Sequence, residues 1–147
     1  MNDTFVTKVK KFLALLLIAG VLTGISYLIV YKVSLLPNGY NIVLVKNDSI
    51  SLKSFNMVGM EKNIIDVNFS EKDIWKIGAI EDEIKRQKEF FWLFFSAVTI
   101  SIFLLVYKLR KRMKFWKAIF ESNIIISVLF PIVHISSSVN RISNLIS

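Results

Sequence analysis

The chain of 147 residues contains no cysteine. That excludes a disulfide framework, a thiolate nucleophile and a cysteine-ligated metal. Histidine occurs once, as His134, and with no clustered carboxylate near it in sequence it offers neither a metal site nor a proton-sensing pair. Proline occurs only twice, at positions 37 and 131, and glycine five times. Scarce breakers leave room for long uninterrupted helices.

What the chain has in excess is apolar residues, 54% with a mean hydropathy of +0.54, more than a soluble core of this size requires. The excess is blocked. Phe12–Tyr31 and Phe90–Tyr107 carry no charge, and Ala118–Ile135 is interrupted chiefly by Glu121, Ser122, Asn123 and His134. Twenty helical residues rise about 30 Å, the thickness of the hydrocarbon layer. The expected fold class is therefore integral membrane and mainly α, with three transmembrane helices over 12–31, 90–107 and 118–135. A small α+β loop domain, a β-meander plus a helix, is expected at 32–89. Residues 1–11 form a basic amino terminus, 108–117 a basic loop, and 136–147 an amphipathic tail whose Val139, Ile142, Leu145 and Ile146 share one side and lie along the membrane surface.

The net charge of +8 would suggest nucleic acid in a soluble protein, but its distribution points to lipid instead. Lys108, Arg110, Lys111, Arg112, Lys114 and Lys117 crowd into ten residues between two apolar runs, and Lys8, Lys10 and Lys11 precede the first. The 32–89 segment is balanced, with nine basic and nine acidic residues. The expected partners are the bilayer, at whose surface the 108–117 cluster lies, and another membrane protein or a second copy, with no nucleic acid. Dense charge in a short loop outweighs diluted charge in a long one. This places the amino terminus and the 108–117 loop in the cytoplasm and the loop domain outside, in a cell (inner) membrane. The first apolar run is longer than a signal-peptide core and no A-x-A-like site follows it, so it reads as a retained anchor.

Within the loop domain, Tyr40–Lys46, Ser49–Phe55 and Asn63–Phe69 read as three strands separated by turn residues. Ser70, with Asp73 three residues on, reads as the cap of a helix that continues without a strong breaker into the second span. The sheet is expected to pack on Ile74, Trp75 and Ile77 or against a partner. Glu81 with Lys85, and Asp82 with Arg86, are expected to pair along a solvated face. Three glycosylation-type triplets, at Asn2, Asn47 and Asn68, read as chance matches in a chain rich in Asn and Ser.

The candidate functional residues are helix-packing groups. Gly20 and Gly24 form a G-x-x-x-G, which lets helix backbones approach closely in lipid, where packing drives association. Ser96 and Thr99 share a face of the second span. Asn123, Ser127 and His134 fall within about 40 degrees on a continuous helix, making a polar stripe, with Glu121 on nearly the opposite face. Glu121, near the end of its span, is expected to pair with Lys114 or Lys117. It lies about 20 Å of helical rise from His134, so no acid–base pair forms within that helix. No catalytic residue, cofactor or metal is assigned, and the expected function is non-enzymatic: an accessory subunit of a membrane complex or an immunity-type protein. An oligomeric channel or transport component lined by the polar stripe is the alternative.

Overall fold

The computed structural model describes residues 3–147, so Asn2, the first residue of its triplet, lies outside the described residues. In chain order the elements are α1 (Asp3–Tyr31), β1 (Tyr40–Val45), β2 (Ser49–Phe55), β3 (Glu61–Asn68), a 3₁₀ turn (Glu71–Asp73), α2 (Trp75–Arg110), α3 (Phe115–Glu121) and α4 (Ile124–Ile146). α1, α2 and α4 are long and apolar enough to cross a membrane, and the loop between the first two carries the small sheet. The integral-membrane, mainly α architecture with an α+β loop domain is the one the sequence implies.

α2 is the axis. Its 36 residues rise about 54 Å, well beyond the roughly 30 Å of a hydrocarbon layer. The apolar run from Phe90 occupies its second half, so the first half projects past the membrane. Gly78 sits inside it without breaking it, since Ile77, Ile80 and Ile84 anchor that stretch in a core. α1 packs on one side of α2 and α4 on another, both antiparallel to it. Trp92 donates its indole N–H to the Thr23 carbonyl at 3.1 Å, and the hydroxyls of Ser101 and Ser127 meet at 2.8 Å.

The sheet is an antiparallel meander in the order β1–β2–β3, with Ile42 opposite Leu52 and Leu52 opposite Ile65. β2 alternates as a half-buried strand should, sending Ile50 and Leu52 into the core. At the β2–β3 turn Gly59 has φ +80, which favours glycine, and a Cβ there would push the Leu35 side chain aside. The turn exposes Met57, Val58 and Met60, and Met57 lines a groove with Phe91, Phe94 and Ile132 where the spans emerge. Ser70 does not cap α2 directly. Its hydroxyl bonds the Asp73 carboxylate while its carbonyl takes the Asp73 N–H, closing the 3₁₀ turn that leads into the helix.

The structure also differs from the sequence reading in the last span, the tail and the support of the sheet. The last helix is not continuous over 118–135. It breaks at Ser122–Asn123, where Asn123 adopts a left-handed conformation (φ 55, ψ 21) that asparagine tolerates better than most residues and that commonly ends a helix. α4 then continues through 136–146, the stretch expected along the membrane surface. Its amphipathic side is the one anticipated, but it faces protein: Ile142 is fully buried with Ile50, Leu52, Ile77, Ile80 and Ile84, with Leu145 and Ile146 packed alongside. Sheet support also shifts. Ile77 is buried as expected, whereas Ile74 and Trp75 are exposed, because the apolar stripe of α2 that faces the sheet begins at Ile77.

Replacing Ile142 with alanine should leave a cavity at the joint of sheet, α2 and α4 and cost about 2–5 kcal/mol. The expected readout is a lower thermal midpoint in detergent with faster trypsin cleavage in the 40–68 sheet. An unchanged protease pattern would show that the sheet does not depend on α4.

Candidate interaction surface

Two clusters fix the loop domain to the spans, and a third surface is left uncovered. The first cluster is built on Gln87. It is the uncharged polar residue in the run Glu81–Glu89, and its spacing from Ile80, Ile84 and Phe91 places it on the buried stripe of α2. Its amide grips β1 by both edges, accepting the Tyr40 N–H at 3.1 Å and donating to the Tyr40 carbonyl at 2.9 Å. Gln87 is wholly buried, and a Cβ on Gly39 would meet its Nε2 at 2.9 Å, so the chain passes close over the amide.

The second cluster joins α2 to α4. Glu83, with only 13% of its side chain exposed, takes Arg86 at 3.3 Å and Arg141 at 3.2 Å on the same oxygen, Oε1. Its Oε2 accepts the Ser138 hydroxyl at 2.9 Å, and that hydroxyl lies 3.0 Å from the Glu83 carbonyl. Arg86 thus pairs with Glu83 rather than with Asp82, because α4 brings a second guanidinium and a buried hydroxyl to Glu83. Sequence spacing alone could not have found the Glu83–Arg141 pair, whose members lie 58 residues apart.

The residues singled out from the sequence take different places. Gly20 and Gly24 stand on the exposed side of α1, where a Cβ on either would meet no atom within 4 Å. Nearby, between α1 and α2, lies a groove of about 600 Å³ lined by Thr23, Tyr31, Glu89, Trp92, Leu93 and Ser96. Ser96 is buried and its hydroxyl has no hydrogen-bond partner, whereas Thr99 bonds back to the Phe95 carbonyl at 2.8 Å. The three residues of the polar stripe do not form one lining. Asn123 sits at the helix break, Ser127 is engaged by Ser101, and His134 holds its Nδ1 2.9 Å from the Phe130 carbonyl with its ring against Phe90.

In the basic loop, Lys108 donates to the Glu121 carbonyl at 2.7 Å and to its carboxylate at 3.2 Å, while Lys117 approaches the other oxygen at 3.7 Å. Glu121 therefore pairs at the end of its span with Lys117, one of its two expected partners, and with Lys108. Lys111 lies over the Tyr107 ring at 4.5 Å, Arg110 ends α2, Arg112 turns the chain with φ 60, and Lys114 precedes α3. Phe115, Trp116 and Phe120 remain exposed beside these charges, an aromatic and basic mixture suited to the headgroup zone.

Among the described residues no group of three or more His, Asp or Glu side chains could hold a metal ion. The fold and these surfaces define a small multi-span integral membrane protein. Compared with family models, curated proteins and solved structures, the chain matches none.

Changing Gln87 to leucine should strand both backbone groups of Tyr40 and cost about 2–4 kcal/mol, from two orphaned buried polar groups. Amide exchange at β1 should accelerate while α1 and the membrane half of α2 keep their protection. Equal protection of β1 in the variant would remove Gln87 as its anchor.

Proposed function

We propose that this protein acts without catalysis, by binding another membrane protein or a second copy of itself, as an accessory subunit of a membrane complex or an immunity-type protein. The observation that carries the reading is the uncovered surface of α1. Of its 29 residues only Ser26 and Val30 are buried, and its G-x-x-x-G faces open space. Lipid can cover apolar side chains, but two glycines one turn apart permit a helix backbone to approach closely, where dispersion and weak hydrogen bonds act in place of hydrophobic burial. The loop domain supports the same reading, because the Gln87 and Glu83 clusters present it rigidly on α2. No observation favours a channel: the stripe that would line it is divided between a helix break, an internal hydroxyl pair and a histidine bonded to its own helix.

The reading includes an orientation, with the basic amino terminus and the 108–117 loop in the cytoplasm and the sheet outside a cell (inner) membrane. Its basic residues meet lipid headgroups rather than nucleic acid.

Affinity capture in mild detergent should return a stoichiometric membrane partner or a dimer, and Gly20→Leu with Gly24→Leu should weaken that association about tenfold. Recovery of the bait alone, as a monomer, would overturn the proposal.

The absence of cysteine makes topology directly measurable. With an impermeant maleimide on intact cells, Asn68→Cys on exposed β3 should label and Met113→Cys should not. The opposite pattern would place the sheet in the cytoplasm.

A further inference from the structure

The Glu83 cluster has more donors than its carboxylate uses. Arg86 and Arg141 are 54% and 57% exposed along their side chains, and each touches Glu83 through a single nitrogen. A guanidinium carries five N–H donors in a planar fork matched to carboxylate and phosphate oxygens. Because both arginines reach the same Glu83 oxygen, their forks are close enough for one tetrahedral oxyanion to bridge. One carboxylate between two guanidiniums leaves a net positive charge.

They stand over a notch of about 190 Å³, walled also by Phe90, His134, Ser137 and Ser138. A water molecule's share of liquid volume is about 30 Å³, so the notch admits a group several times larger. Its lining combines charged and hydroxyl side chains with the rings of Phe90 and His134. His134 spends Nδ1 on the Phe130 carbonyl, and Ser137 offers an exposed hydroxyl. Asp82 lines the adjoining depression on the other side of Arg86 and Arg141, where it repels an anion and directs it to the Ser137 side. The level is that of a headgroup: Phe90 begins the apolar run of α2, and exposed Phe130 lies one turn deeper on α4, where an acyl chain would pass.

We propose that the notch between the outer ends of α2 and α4 binds a single phosphate group, with Arg86 and Arg141 as its donors and Glu83 as the residue that holds both in place. The phosphate comes from a lipid headgroup or from free phosphate, two sources with the same chemistry that the experiment separates. The proposal stands independently of any protein partner.

Purified full-length protein loaded with phosphatidylglycerol in micelles is examined by native mass spectrometry for retained lipid. Arg86→Gln with Arg141→Gln should lower occupancy about tenfold or more, as expected for losing two charge-assisted donors. Lys46→Gln with Lys62→Gln, the same charge change at two exposed residues of the loop domain that do not line the notch, should leave it unchanged. Removing both partners of Glu83 can loosen the helix ends, so Ser137→Phe is measured too. It keeps the ion pairs, fills the notch and should also lose the lipid. Wild-type retention by either notch variant overturns the proposal, as does an equal loss in the Lys46 and Lys62 control. Displacement of the lipid from wild-type protein by inorganic phosphate assigns the site to the free anion, and failure to displace assigns it to the headgroup.

Discussion

A helix of 36 residues cannot be contained in a hydrocarbon layer, and the rest of the structure follows from that excess length. Inside lipid every backbone polar group must be satisfied within the helix, so α2 crosses as one unbroken ladder. Outside lipid the same helix has an apolar stripe, Ile77, Ile80 and Ile84, that water would penalise. The three-stranded sheet covers part of that stripe and the end of α4 covers another. Neither could stand alone, since an isolated meander of this size is marginal in water.

The polar contacts along α2 divide by environment. Between the spans, where a missing partner cannot be replaced by water, they are small: paired serine hydroxyls and an indole N–H on a carbonyl. Beyond the spans they become charged and more numerous, with Glu83 holding two arginines and a serine. Half-exposed ion pairs contribute modestly to stability. Their effect here is on geometry, since they fix which face of α4 meets α2 and therefore where Ile142 enters the core. Gln87 does the same for β1 with a neutral amide.

Much of this architecture was legible in the chain. The uncharged runs gave the first two spans, because the bilayer imposes a length and a polarity that few other environments demand. The three strands lay where β-branched residues alternate between turns, and the absence of a breaker between Ser70 and Phe90 implied the shared helix. The helical spacing of Ile80, Ile84, Gln87 and Phe91 was also in the sequence, and it marks Gln87 as the one amide on an apolar stripe. Charge signs and glycine spacing marked the basic loop between α2 and α3 and the open face of α1.

Other features depended on which surfaces meet. The tail 136–147 has the same amphipathic pattern whether its apolar side lies on lipid or on protein, because hydrophobicity is non-directional and a periodic stripe does not name its partner. Only the antiparallel course of α4 beside α2 sends that stripe into the loop-domain core. The pairing of Glu83 with Arg141 rather than with a neighbour on its own helix is likewise set by packing between segments distant in sequence. The break at Asn123 stands between them. Its local signal, a polar Glu-Ser-Asn before an apolar run, is present in the chain, but whether that asparagine caps a helix or lines one was decided by the turn that carries the last span back along α2.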